Sequence, residues 1–442
     1  MKKLIALLLA LAMVMALAAC GASEAPAATE APKADAPAAE APAAPAEAEV
    51  LEFYHGYFHA ESEWPAAKVM RDIYDEFAAQ HADGPVVFKP IAVENRDEIV
   101  SAQLAGGNYP DLVDLGSTIP AAAIAQGLIL DLKPYIDENG LEAAVGLNYT
   151  QNLVDGAIYT VHDQIETRGL WYNAAVLEKA GATVEDLSTW EGVAATMEKV
   201  RALNDGTYGY AAGQGSLKMM YAMLAGTEEG RALLNSEISA DVINNPTFAT
   251  AFKTIAKMDQ DNGSAYTTPD VGNLMADFNA NGMAAMLSNG VWNASGIGAD
   301  LVDAIQPMVF PGNVSMATAG TGLTVSANMS EAKTALALEF VKYMVSEEVQ
   351  TKIFLGVQAN PCNSTIDLNA LAAESGDPVV QKLALACSLC NGADIIVSDV
   401  SYTWGGDVGN SIINALMECA TAGTDIDARF ELLQKELLAL IG

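Results

Sequence analysis

A chain of 442 residues has room for more than one hydrophobic core. It carries 22 Lys+Arg against 56 Asp+Glu, a formal net charge of −34. That excess excludes nucleic acid as a partner, and anionic lipid headgroups with it, because phosphate binding rests on Lys and Arg.

Lys2 and Lys3 precede an apolar run from Leu4 to Leu17, which Ala18, Ala19 and Cys20 follow. This is the layout of a secretory signal over residues 1–20, and the run is too short to span a bilayer. Leu17-Ala18-Ala19-Cys20 resembles a bacterial lipobox. The resemblance implies a diacylglycerol on Cys20, and two acyl chains hold a protein at a membrane where one is marginal. Residues 21–49 are mostly Ala, Pro and Glu, so they cannot bury a core and are expected to form a disordered linker. A folded body is expected from Val50.

Val50 to His55 alternates as a strand does, and a polar, aromatic loop from Tyr57 to Trp64 follows. Pro65 then opens a helix with Val69, Ile73, Tyr74 and Phe77 on one face. A strand over Val86–Val93, a helix around Glu98–Ala105 and a third strand from Leu112 continue the alternation. That pattern predicts a parallel sheet covered on both faces, with ligands beyond the carboxyl ends of its strands. The loops at 57–64 and 116–118 lie at those ends. From Val154 to Gly181 the chain reads as a turn at Asp155-Gly156, an apolar strand over Ile158–Val161 and a polar elbow over His162–Arg168. A second strand follows, then a helix that Asn173 caps and Gly181 ends. Beyond it Ser188-Thr189-Trp190-Glu191 reads as a capping-box start to a helix. Helices are expected across Leu217–Ala225 and Pro246–Gln260, and a strand over Met283–Leu287 leads to a loop carrying Trp292. A strand follows at Gln306–Phe310, and Met316–Ala327 is Gly/Thr-rich and β-branched, as a crossing between two lobes would be. Ser330 caps a helix over Ala332–Val345, Trp404 precedes a helix from Val408, and an amphipathic helix spans Ile426–Leu440.

Several of these stretches share one likeness. In order they are Asp155-Gly156-x-Ile158-Tyr159, Leu170-Trp171-Tyr172-Asn173, and Phe278 with Gly282-Met283-Ala284-Ala285-Met286 and Gly290-x-Trp292. Glu339-Phe340-Val341-Lys342-Tyr343-Met344 with Gln350, and Gln358-Ala359-Asn360-Pro361, complete the set. The chain resembles extracellular solute-binding proteins that feed ABC transporters, of the maltose-binding type. The resemblance implies an α/β, two-lobed, periplasmic-binding-protein-like fold of type II with three interlobe crossings. The N-terminal lobe would hold residues 50–157 and 317–369, and the C-terminal lobe residues 158–316 and 370–442. It further implies a monomer at the outer face of the bacterial cytoplasmic membrane, without cofactor or metal. Such a receptor would bind a carbohydrate, an oligosaccharide, between the lobes and deliver it to ABC permease membrane subunits. A peptide, polyamine, phosphate ester or metal complex is the alternative solute, and a secreted glycan hydrolase the alternative function. No phosphate loop, zinc helix or nucleophile elbow supports an enzyme.

A sugar presents apolar C–H faces and a hydroxyl rim, so aromatic rings flanked by polar groups are the candidates for holding it. Tyr57, Trp64, Trp292 and Trp404 are assigned to ligand contact, with Trp171 and Trp190 assigned to the core. Polar partners would come from His59, Glu61, Ser117, His162, Asp163, Gln214 and Thr321. Cys362, Cys387, Cys390 and Cys419 are either disulfide-bonded or buried thiols, since Cys387-x-x-Cys390 lacks the context of a redox or zinc site. Asp259-x-Asp261-x-Gly263 is read as a surface turn, since no Glu stands at the twelfth position of a calcium loop.

Overall fold

The structure is a computed structural model that describes residues 48–116, 119–262 and 271–442. Cys20 and the linker through residue 47 therefore lie outside the described residues, as does Ser117. The strands in chain order are β1 (Glu49–His55), β2 (Val86–Ala92), β3 (Leu112–Asp114), β4 (Leu153–Val154), β5 (Ala157–Ile158), β6 (Gln164–Asn173) and β7 (Tyr208–Ala211). After them come β8 (Ala284–Gly290), β9 (Ile305–Met308), β10 (Val314–Thr318), β11 (Leu323–Val325), β12 (Asn360–Pro361) and β13 (Ile395–Val397).

The first sheet has the order β11-β3-β1-β2. β1 runs parallel to β2 and β3, as the alternation predicts, but β11 is antiparallel to β3. The reason is topological: β11 comes from a later part of the chain and adds to the edge in the opposite sense. Pro90 is tolerated because β2 is the edge strand, where a missing N–H breaks no ladder. β1 alternates, with Leu51, Phe53 and His55 buried on one face. That face meets the helices Pro65–Gln80 and Glu331–Met344 through a cluster of Phe53, Tyr74, Phe77, Phe88 and Phe340. Phe53 and Tyr74 pack edge to face at 4.9 Å, and Phe53 lies 5.0 Å from Phe340. Burying each such ring contributes roughly 1.5–3 kcal/mol.

The second sheet has the order β13-β10-β6-β8-β7, with β9 and β12 also paired to β6. Neighbours on β6 face opposite sides, so Leu170 enters the core formed by the helices Gln214–Ala225, Pro246–Asp261 and Ile426–Leu440. Trp171 enters a separate core with Phe278 and Leu383. Trp171 is buried and donates its indole N–H to the Gly290 carbonyl at 3.1 Å, in keeping with its core assignment. The helix Ala174–Lys179 follows, with the Asn173 side chain accepting from the N–H groups of Ala175 and Val176. Gly181 takes the left-handed conformation after it.

Three expectations are corrected here. The polar stretch over 162–168 is no elbow. From Gln164 it is the first half of β6, with Ile165 and Thr167 turned inward and Glu166 and Arg168 on the other face. Charged residues at every second position read as a loop in sequence but form the polar face of a strand. Ile158, Val161 and Ile165 all pack in the first core, so the passage to the second sheet falls after Ile165, later than position 158. Finally, Asp259 and Asp261 close the helix Pro246–Asp261. Asp259 is buried and accepts from Ser216 Oγ at 2.8 Å and from the Tyr210 hydroxyl, so it is not on a surface turn.

Two further stretches have near neighbours packed in different cores. Val314 and Met316 pack in the second-sheet core while Ala317, Ala319 and Leu323 pack in the first. Cys362 packs in the first core and Leu368 against the Trp171 cluster. Between 366 and 376 the chain forms a helix, Leu368–Ser375. Buried amides fix these passages. Gln350 donates to the Asp163 carbonyl and accepts from Cys362 N–H at 2.7 Å. Asn148 donates to the His162 carbonyl and accepts its N–H at 2.8 Å. All four described cysteines, Cys362, Cys387, Cys390 and Cys419, are buried free thiols.

Candidate functional site

The carboxyl ends of β1 and β3 open onto a polar cavity of about 240 Å³. Gly56 and Gly116 follow these strands, and a Cβ on either would come within 2.6 Å of the Arg96 guanidinium. Arg96 can lie across both strand ends only because neither residue has a side chain. It donates to Asp114 Oδ2 at 2.7 Å and also to the Asp114 carbonyl. Burial pushes the Asp114 carboxyl up to about 6, against the pull of Arg96.

Tyr57 and Trp64 form the aromatic wall, with ring centroids 5.2 Å apart and 31° between planes. The Tyr57 hydroxyl accepts from Gln164 Nε2 at 3.3 Å. His162, Glu166 and Thr321 complete the lining. His162 Nδ1 lies 2.6 Å from the Gln164 carbonyl, which fixes the ring against β6.

Glu166 and Arg168 carry the site onto the second sheet. Arg168 lies 3.6 Å from Glu166 on one side and 3.6 Å from Asp399 on the other. Asp399 also pairs with Lys218, and its backbone N–H donates to Thr318 Oγ1 at 2.7 Å. Burial pulls the Lys218 ammonium pKa down while Asp399 opposes the shift. The Arg168 guanidinium covers the Trp292 ring at 4.7 Å, a cation–π contact. Trp292 folds back over Gly290, where a Cβ would meet its ring at 2.3 Å.

Of the residues expected from sequence, Tyr57, Trp64, His162 and Thr321 line this cavity and Trp292 sits half-buried beside Arg168. The others do not converge there. His59 lies 3.7 Å from Glu63 with its side chain 42 % exposed, and Glu61 is exposed. Asp163 sits behind the wall with its side chain 12 % exposed, and burial raises its pKa. Gln214 opens the helix Gln214–Ala225, and its side chain is outside what the structure describes. Trp404 must be corrected. It is 3 % exposed, packs edge to face on Tyr221 at 5.6 Å and donates its indole N–H to the Ser236 carbonyl at 2.9 Å. It is a core residue, because Tyr221 and Phe248 from two helices and the Ser236 carbonyl converge on it from distant parts of the chain.

Sequence reasoning missed Arg96, Asp114, Glu166, Arg168, Lys218 and Asp399. The period of two in β6 was a usable signal for Glu166 and Arg168. Lys218 and Asp399 are 181 residues apart, and no local pattern could pair them. Two cavities of about 580 and 480 Å³ lie elsewhere. One flanks β12 and its only charged lining residue is Glu142. The other is a trough between the helices Trp190–Ala202 and Pro246–Asp261, whose Lys253 and Lys257 are paired with Asp427 and Asp261. Neither gathers aromatic rings and charges at strand ends. Among the described residues no group of three His, Cys, Asp or Glu could hold a metal, and no helix is long and apolar enough to cross a membrane.

Residues 72–378 match the bacterial extracellular solute-binding protein family. The chain belongs to that family. A solute-binding protein of Streptococcus pneumoniae, solved in complex with the blood group A-trisaccharide, is 43 % identical to this one. The match covers 88 % of this chain and 100 % of that one, with a TM-score of 0.78. The arabinooligosaccharide-binding protein of Bacillus subtilis is 27 % identical over 180 residues. That match covers 35 % of this chain, which spans about 39 % of the length of that relative. The sugar-binding protein MalE of Xanthomonas citri is 19 % identical with a TM-score of 0.68, over 89 % of this chain and 98 % of that one. At that identity the likeness speaks for the fold alone.

Proposed function

We propose that this solute-binding protein captures an oligosaccharide between its two sheets and hands it to the membrane subunits of an ABC permease, without catalysing a reaction. The observation that carries the choice of solute is the 43 % identical S. pneumoniae protein, whose ligand is a trisaccharide. The site is consistent with it. Tyr57 and Trp64 offer ring faces, and Arg96, Asp114, Glu166, Arg168 and Asp399 offer charge-assisted hydrogen bonds to hydroxyls. Acidic and basic groups are nearly balanced around the site, which disfavours a polyamine or a phosphate ester as solute.

The reading extends to the whole molecule. The lobes would comprise residues 48–165 with 317–366 and residues 166–316 with 367–442, joined at β6, β10 and the stretch after Cys362. A sugar touching both would shift the population towards a closed form, since only differential affinity moves such an equilibrium. Cys20 would carry the lipid that keeps this monomer at the outer face of the cytoplasmic membrane. A thermal-shift screen of oligosaccharides, peptides, polyamines and metal ions tests the solute. An oligosaccharide at a hundred times its dissociation constant should stabilise by about 2.7 kcal/mol. Stabilisation by a peptide or cation alone would overturn the carbohydrate reading.

A further inference from the structure

The helix Gln214–Ala225 begins without a side-chain cap, after Gly213 at a φ of 88°. Its 12 residues of aligned peptide dipoles place a partial positive charge at that end. Gly215, in the first turn, is pressed against β8. An added Cβ there would come 3.2 Å from the Ser288 carbonyl and 3.3 Å from the Ser288 Cβ. A cavity of about 40 Å³ lies at this junction, and Gly215, Ser288, Arg168 and Lys218 all line it. Ser288 pairs across the sheet with Leu170, two residues along β6 from Arg168, so Ser288 and Arg168 share one face.

Two polar atoms at this cavity lack hydrogen bonds. Ser288 is 7 % exposed and its Oγ has no partner. Arg168 Nε is also buried without a hydrogen bond, since Asp399 lies 3.6 Å from it. Leaving such groups unmet is costly, and a native structure normally supplies them with a ligand or an ion. The carboxylates that pair with the two cations line other cavities, Glu166 the aromatic one and Asp399 the one beside Thr321. Among the described residues no carboxylate lines this one. Leu274, Met275 and Leu287 make up much of the remaining wall, so little water screens the charges.

We propose that this cavity binds a compact monovalent anion, a halide ion, held by Ser288 Oγ, Arg168 Nε and the start of the helix Gln214–Ala225. The donor set decides between an anion and a water. Arg168 and Lys218 can only donate, and the Asn289 side-chain oxygen already accepts from the Gly290 N–H at 2.8 Å. An anion accepts from every donor, whereas a water must also donate and meets few acceptors. The volume suits a monatomic ion and excludes a sugar residue, so the site is distinct from that of the oligosaccharide and rests on no part of that reading. An ion here would hold the guanidinium that covers Trp292.

Thermal denaturation of the full chain in sodium chloride, with ionic strength held constant by the bulkier sodium methanesulfonate, tests the site. The midpoint should rise saturably with chloride, by about 3 °C at a hundred times the dissociation constant. Ser288→Ala removes a hydroxyl that has no partner, so without halide its midpoint should match or exceed that of wild type. Its chloride dissociation constant should rise at least about tenfold. A crystal of the wild-type protein soaked in sodium bromide gives a readout that needs no variant, with an anomalous peak expected within hydrogen-bond reach of Ser288 Oγ and Arg168 Nε. No saturable rise with chloride, a chloride response unchanged in Ser288→Ala, or a water where the bromide should lie would overturn the anion site and leave the carbohydrate reading standing.

Discussion

Trp292 and Trp404 carry the same side chain at sites that sequence treats alike, yet they sit in opposite environments. Trp404 is enclosed by helices, and Trp404→Ala should lower stability by about 3–5 kcal/mol through the cavity it leaves. Its thermal midpoint should fall while the affinity of whatever folded protein remains stays near wild type. Trp292 is half-buried under Arg168, and Trp292→Ala should weaken oligosaccharide binding by about one to two orders of magnitude with little change in midpoint. Calorimetry and thermal denaturation on both variants separate the two roles. His55 shows a third kind of residue effect. It is buried at the end of β1, and burial together with Arg96 and Arg71 pushes its pKa down to about 4. The folded protein keeps it neutral, so its contribution is complete above the unfolded value of about 6.5 and is lost as the pH falls to 4. The stability of wild type relative to His55→Gln should therefore drop by about 3 kcal/mol between pH 7 and pH 4 in chemical denaturation. A difference that does not vary with pH would show that His55 takes up its proton in the folded state. Asp114, raised to about 6, works in the opposite sense, losing stability as the pH rises through that window. The wild-type curve alone would hide both.

At the scale of the element, β6 is the strand on which the molecule turns. Its first half packs on the first core and its second half on two others. Gly169 lies in its middle, where an added Cβ would approach the Met308 carbonyl to 2.5 Å and Cys390 Sγ to 3.1 Å. Neither backbone nor buried thiol can move aside cheaply, so Gly169→Ala should destabilise by about 1–3 kcal/mol. A midpoint equal to wild type would show that the strands separate there without strain. The helix Pro378–Asn391 beside it turns Cys387 and Cys390 inward, and burial pushes both thiols above their ordinary value.

For the whole molecule the expectations concern accessibility and shape. Cys362, Cys387, Cys390 and Cys419 are all buried. A thiol reagent should label these four slowly in native buffer and completely in guanidinium. Rapid native labelling, or no labelling after denaturation, would contradict buried free thiols. If a sugar closes the cleft by hinge motion, its addition should reduce the radius of gyration measured by small-angle scattering. An unchanged radius at saturation would mean that binding occurs without closure.

Much of this was already set by the sequence. The N-caps at Asn173 and Ser330, the strand β1, the helix from Pro65 and the order of the family stretches are local or near-local patterns. Hydrogen-bond valence and apolar period determine such features within a few residues. The Tyr57–Trp64 loop was legible for the same reason, since a strand that ends in a polar aromatic loop marks the mouth of a parallel sheet. Only the tertiary structure decided the rest. It placed Glu166 and Arg168 on a strand face rather than an elbow, and it drew Lys218 and Asp399 together from opposite ends of the second half. It also buried Trp404 and set Arg96 between two glycines. The reason is common to all four. A side chain's chemistry states what it can do, but whether it faces solvent, a cleft or a core depends on neighbours that the chain supplies from hundreds of residues away.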